Sequence, residues 1–237
     1  MVRGLYAAAA GISTQIAKND IYAANLANVS TAGYRRSRIS QQSFSPLFAA
    51  EQSPDTSLPG GLAVSSAGLD LTPGPLTQTA GDFDLAIVGR GFFCVRTPAG
   101  EAFTRSGQFH LDTDSTVVTR DGYPLLGTKG PIRITSGKMT VDEQGRVWDG
   151  DRLVDSLRLV EFPDGAGLTK AAGGLILATG RRPAGDYKIV QGALEGSNVE
   201  AMSELQRMMN GLRLYEANVR VLQAHDDSIA VLLQEAA

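Results

Sequence analysis

Residues 198–237 read NVEAMSELQRMMNGLRLYEANVRVLQAHDDSIAVLLQEAA and hold the longest regular pattern in the chain. Stepping alternately by three and four from Leu205 picks out Leu205, Met208, Leu212, Tyr215, Val219, Leu222, Asp226, Ile229 and Leu233, a heptad seam with one polar member. Asn198 stands where an N-cap is wanted, Glu200 and Glu204 place negative charge in the first turns, and no proline follows. The pattern predicts one long helix, on the order of 50 Å at about 1.5 Å per residue. A stripe of that length needs an equally long partner, because an isolated helix is marginal in water.

The partner lies at the other end of the chain. The same stepping from Leu5 gives Leu5, Ala9, Ile12, Ile16, Asn19, Ala23 and Leu26, again a seam with one polar member. Residues 1–38 carry five basic side chains and one acidic, and residues 198–237 carry six acidic and three basic, so opposite charge favours N-to-C pairing within or between subunits. Periodicity alone leaves two readings open: helices that close one globular domain, or an assembly-forming coiled coil. Asn19 and Asp226 are placed to fix register at a cost in stability.

With 43% hydrophobic and 20% charged residues among 237, the composition is that of one large or two modest globular domains. A net charge of −3 provides no electrostatic footprint for nucleic acid. A single cysteine excludes an internal disulfide, and no apolar run is long enough to span a membrane. Arg3 followed by the small apolar run Gly4 to Ile12 has the look of a secretory signal. The seam nevertheless continues through Ile16, Ala23 and Leu26, which predicts that this segment belongs to the mature fold.

The chain divides by texture into an N-terminal helix (1–35), an extended connector (36–81), a β-rich domain (82–190) and a C-terminal helix (191–237). Five of the ten prolines fall between residues 40 and 81, with short strands expected near Leu62–Val64 and Leu69–Leu71. From Asp82 short apolar runs alternate with turn signals: Leu85–Val88, Phe92–Val95, Ala102–Thr104, Val117–Thr119, Ile132–Ile134, Val147–Trp148 and Leu157–Phe162. Asp149-Gly150 is the best short hairpin signal. The fold class expected is therefore α+β: N- and C-terminal helices paired as a coiled coil, an extended connector, and a central antiparallel β-rich domain.

Four stretches carry a resemblance. The first is Ala24-Asn25-Leu26-Ala27-Asn28-Val29-Ser30-Thr31-Ala32-Gly33-Tyr34-Arg35-Arg36, a helix exit into a turn. The second is Asp82-Phe83-Asp84-Leu85-Ala86-Ile87-Val88-Gly89-Arg90-Gly91-Phe92-Phe93. The third runs from Phe103-Thr104-Arg105-Ser106-Gly107-Gln108-Phe109 to Val118-Thr119-Arg120-Asp121-Gly122-Tyr123-Pro124. The fourth joins Leu194-Glu195-Gly196-Ser197-Asn198-Val199 to Leu214-Tyr215-Glu216-Ala217-Asn218. In this order they resemble the bacterial flagellar rod and hook proteins. Departures are Ala24, where that family commonly has a second Asn, Tyr34, commonly Phe, and Asp114-Ser115-Thr116, which lacks a frequent glycine. The cluster Arg35, Arg36 and Arg38 lacks interleaved aromatics and reads as a solvated face.

Chemistry finds no foothold. Gly89-x-Gly91 lacks the third glycine of a dinucleotide fingerprint and runs into a strand, and Gly137-Lys138 lacks the first glycine and the Ser or Thr of a P-loop. Cys94 sits in an apolar run, as a core residue does. His225 beside Asp226 and Asp227 reads as a solvated helix face rather than a metal site. No catalytic residue, cofactor, metal or small-molecule substrate is expected, and no enzyme activity.

The resemblance implies a structural subunit of the flagellar basal-body rod, of the proximal rod, with the distal rod as the alternative. It further implies export through the flagellar type III apparatus without a cleaved signal peptide, an extracytoplasmic location, and helical packing against copies of itself and other rod and hook subunits. Torque would then pass through interface residues: Leu5, Ile12, Ile16, Asn19, Ala23, Leu26, Asn28, Gly33, Tyr34, Leu205, Met208, Leu212, Tyr215, Val219, Leu222, Asp226, Ile229 and Leu233. Readings from other classes are a secreted β-domain adhesin on a helical stalk and a hydrolase using Cys94.

Overall fold

The computed structural model describes residues 2–43, 62–163, 167–178 and 180–235. These form two compact units, each discontinuous in sequence. One comprises Met1–Ala27, Ser37–Leu69 and Glu200–Ala237, and the other Asn28–Arg36 and Asp70–Val199.

The first unit is helical. Helix α1 spans Val2–Ala27 and helix α2 spans Ala201–Glu235, as the two long periodic stretches predict. The ends of the proline-rich connector pair as an antiparallel hairpin, Ser37–Ser43 with Leu62–Leu69, with a register shift between Ser40 and Gln41. The strand expected over Leu62–Val64 thus runs on to Leu69, and residues 44–61 lie outside the described residues. The side chains of Leu5, Ile229 and Leu233 also lie outside them.

The second unit is β-rich, and every strand pairing in it is antiparallel. Its largest sheet orders Thr169–Lys170, Ile176–Leu177, Gly100–Thr104, Phe92–Thr97, Leu159–Glu161 and Arg182–Pro183. The Asp149-Gly150 signal does form a hairpin, pairing Arg146–Asp149 with Arg152–Ser156. Residues 132–134 make no regular strand. They pair with residues 115–117 through a single isolated antiparallel bridge, Thr116 with Arg133, flanked by bonds from the Val117 amide to Ile132 and from the Ile134 amide to Ser115, while the Ile132 amide donates to Leu125; Ile132 and Ile134 are buried. The core gathers Leu85, Phe93, Val95, Leu125, Ile134, Met139, Val147 and Ile189, with Phe93 edge-on to Phe109 at 5.2 Å. Each such side chain, fully buried, stabilises by about 1.5–3 kcal/mol.

The units cut across the segments expected from sequence texture. Residues 28–36 and 70–81 fold with the β unit rather than with the N-terminal helix and the connector. The reason is a set of hydrogen bonds to the strand Ala193–Glu195 and the residues after it.

Candidate assembly interface

Helices α1 and α2 run antiparallel side by side in one register. Asn25 Nδ2 donates to Glu204 Oε2 at 3.1 Å, Gly211 lies against Asn19, and Gly11 lies against Asn218. The face of α2 turned to α1 thus follows Glu204, Gly211 and Asn218, with the half-buried Met208, Tyr215 and Leu222 between and beyond them. This is a heptad face, but its phase differs from the one picked by hydrophobicity. At alternate steps the inward position is held by the residue preceding the expected one: Glu204 for Leu205, Gly211 for Leu212, Asn218 for Val219.

The expected seam residues are correspondingly split. Met208, Tyr215, Val219, Leu222, Ile12, Asn19 and Leu26 are partly buried, whereas Ala23 and Asp226 are exposed. Ile16 (49%), Leu205 (36%) and Leu212 (47%) are exposed. With Met202 and Met209, Leu205 and Leu212 make an exposed apolar stripe at 202, 205, 209 and 212, spaced by three and four, and Leu214 and Val221 are exposed beside and beyond it. The mid-helix glycines at 11 and 211 were the overlooked signal. Glycine lowers helix propensity by roughly 1 kcal/mol relative to Ala, so its presence at matching sites in both helices marks a close approach.

A second constellation lies wholly within the β unit. Glu195, 1% exposed, accepts from Arg35 Nη2 at 2.6 Å and from the Gly74 amide at 2.9 Å through Oε1, and from Arg105 Nε at 2.5 Å through Oε2. Two buried guanidinium groups share one carboxylate. The excess charge is met by backbone carbonyls, since Arg105 also donates to Ile87, Gly89 and Gly91. Burial lowers the Arg105 pKa, and Glu195 opposes that shift.

Asn198 ties the neighbouring strands. Its Oδ1 accepts from the Arg36 amide at 2.7 Å, and its Nδ2 donates to the carbonyls of Asp70 and Thr72 at 2.9 and 3.0 Å. Arg36 in turn bridges Asp70 at 3.1 Å. Asn198 is therefore not the N-cap expected of it, because its amide is engaged by three backbone groups outside α2. The arginine cluster also needs correction: Arg35 is 3% exposed and Arg36 is partly buried, each bound to a carboxylate, and of the three only Arg38 is exposed. Long-range carboxylates 160 and 34 residues away could not be assigned from the cluster's own composition.

The turn residues Asn28, Gly33 and Tyr34 reach this same cluster. The Thr31 amide and hydroxyl both bond Asn28, Gly33 adopts φ 69°, and the Gly33 amide donates to the Glu195 carbonyl at 2.7 Å. A Cβ at position 33 would overlap the backbone of Arg105 and Ser106, so glycine is required there twice over. Tyr34 is buried with Lys170 Nζ 3.6 Å above its ring, and burial pushes the Lys170 amine down to about 8. Cys94 is fully buried, with its thiol pushed up to about 11 by burial, the opposite of an activated nucleophile. No helix among the described residues is long and apolar enough to cross a membrane.

Comparison with known proteins places both constellations in one context. Residues 5–35 match the family described as flagella basal body rod protein. Residues 86–148 match the flagellar hook protein FlgE/F/G D1 domain, and residues 190–235 the C-terminal domain of flagellar basal body rod FlgEFG proteins. The chain is 30% identical to the flagellar basal-body rod protein FlgG of Bacillus subtilis (strain 168), over 98% of each chain. It is 33% identical to the rod protein FlgF of Caulobacter vibrioides (strain ATCC 19089 / CIP 103742 / CB 15), over 86% of this chain and 85% of that one. To FlgG of Buchnera aphidicola subsp. Acyrthosiphon pisum (strain APS) it is 32% identical, over 99% and 100%.

Proposed function

The chain belongs to the flagellar basal-body rod and hook protein family, and from that premise we propose that its helix pair joins copies of the subunit into the rod through the residues it leaves outward. It is a structural subunit of the flagellar rod. The observation that carries the interface reading is the stripe Met202, Leu205, Met209 and Leu212, with Ile16 outward on α1. An apolar stripe along a helix stabilises nothing while it faces water, and burying it against a neighbour supplies the driving force for association.

The partly buried seam residues, Met208, Tyr215, Val219, Leu222, Ile12, Asn19 and Leu26, serve the helix pair. Coiled-coil packing in the strict sense then arises between subunits, where the outward stripes interdigitate, with copies of this chain and other rod and hook subunits as partners. Asn28, Gly33 and Tyr34 act indirectly, by fixing the chain where it leaves α1. Export through the flagellar type III apparatus and an extracytoplasmic position complete the reading, supported by membership of the rod and hook family. The short chain and short connector favour the proximal rod, with the distal rod as the alternative.

The test is a pair of surface charges. Met209→Asp with Leu212→Asp should leave the purified subunit folded, with unchanged circular dichroism, while cells carrying it assemble no complete rod and do not swim. Normal swimming would exclude this stripe from the interface.

A further inference from the structure

The contacts between α1 and α2 repeat in a way that neither helix pattern suggested. Asn19 of α1 sits over Gly211 of α2, and Asn218 of α2 sits over Gly11 of α1. A Cβ on Gly11 would lie 2.9 Å from Asn218 Nδ2, and one on Gly211 would overlap Asn19 Oδ1 outright. Each helix thus offers one amide knob and one glycine hole, and the two sites are related by the near two-fold symmetry of an antiparallel pair. Asn19 Oδ1 is buried with no hydrogen-bond partner among the described residues. A buried acceptor left unsatisfied weakens the pair, so stability alone would not select it.

We propose that Asn19–Gly211 and Asn218–Gly11 form a reciprocal lock that sets the register of the helix pair and thereby decides which apolar residues remain outward. Sequence explains why two sites are needed. The glycines of α1 are Gly4 and Gly11, and α2 has Gly211 alone. A slip of one heptad could seat Asn218 at Gly4, yet it would turn Asn19 onto Glu204 instead of a glycine. Slips of one turn set Arg207, Met208, Leu214 or Tyr215 against Asn19. Both amides fit only in the native register, as a single polar pair would not guarantee. Its bearing on assembly rests on the interface reading above, whereas the register itself can be measured on the unassembled subunit.

Spin labels at Ser13→Cys and Glu216→Cys, both exposed and at the same level of the antiparallel pair in the native register, report that register as a distance. Cys94 is buried and stays unlabelled. The wild-type lock should give one narrow distribution in the full-length subunit. Gly211→Asn should lose it, shifting or splitting the distance by about one helical turn, ~5 Å. The exchanged variant, Asn19→Gly with Gly211→Asn, should restore it, and so should Gly11→Asn with Asn218→Gly. Retention of the native distance in Gly211→Asn overturns the lock. So does failure of both exchanged variants to recover that distance, whether they pair in another register or do not pair. Loss of swimming with the native distance intact would instead count against the interface reading alone.

Discussion

The β unit buries Leu85, Phe93, Val95, Phe103, Leu125 and Ile134 almost completely, whereas among the described residues of the helix unit Ala8 is the one fully buried apolar side chain. The polar groups differ as sharply. In the β unit Glu195, Asn198 and Arg105 are each held by several partners, so the cluster specifies one arrangement and resists opening. In the helix unit the inward face alternates glycine, amide and one carboxylate with the half-buried Met208, Tyr215 and Leu222, and the large apolar residues Met202, Leu205, Met209 and Leu212 are exposed. One unit is finished as a monomer. The other leaves large apolar side chains exposed, and under the interface proposed above the chain would carry two kinds of stability: one intrinsic, one supplied by assembly.

The sharpest way to break that contrast is at Glu195. Removing it leaves Arg35 and Arg105 buried without their carboxylate, and Arg35 Nε and Nη1 already lack hydrogen-bond partners among the described residues. Breaking a buried ion pair from one side costs about 3–5 kcal/mol, and Glu195→Ala should destabilise the β unit by that much in urea titrations followed by Trp148 fluorescence. A loss under about 1 kcal/mol would mean that the cluster is a bystander and the sheets alone hold the unit. The same cluster explains what the sequence could and could not disclose. Turn chemistry at Asn28 to Tyr34 and the strand periods were legible because they are local. The fate of Arg35 was not, because its partner lies 160 residues away and a run of arginines on a surface looks no different.

A smaller effect separates the units by their opening. Hydrogen exchange should show amides of α1 and α2 exchanging at least roughly tenfold faster than those of Leu85–Gly89 and Phe92–Thr97, about 1.4 kcal/mol less protection, since little apolar surface holds the helices in the unassembled subunit. Equal protection in a verified monomer would show that the helix pair is finished too. Choosing the most hydrophobic residue at each heptad step selected Leu205 and Leu212, which are exposed, because periodicity alone does not say whether a stripe faces an intramolecular partner or, as proposed above, another subunit. Length, helix type and the pairing of the two ends were readable. Phase was not, except through the two glycines.

The smallest effect concerns Lys170 and Tyr34, where the β unit departs from its own pattern of satisfied charges. Lys170 Nζ is buried with no hydrogen-bond partner among the described residues, and burial holds it at about 8 rather than the ordinary 10.5. The unfolded chain consequently binds more protons than the folded one between about pH 8 and 10.5. Stability must rise with pH across that window, with the penalty fully present below it. The ring of Tyr34 acts the other way, because a cation over an aromatic face favours the charged form. Lys170→Met should therefore flatten this part of the stability–pH curve and stabilise the unit at neutral pH. Tyr34→Leu, which removes the ring, should drive the Lys170 pKa lower still, and Tyr34→Phe, which keeps it, should not. Side-chain NMR titration of Lys170 distinguishes these cases directly. A pKa unchanged by Tyr34→Leu would show that the ring covers the amine without stabilising its charge, leaving desolvation as the whole of the effect.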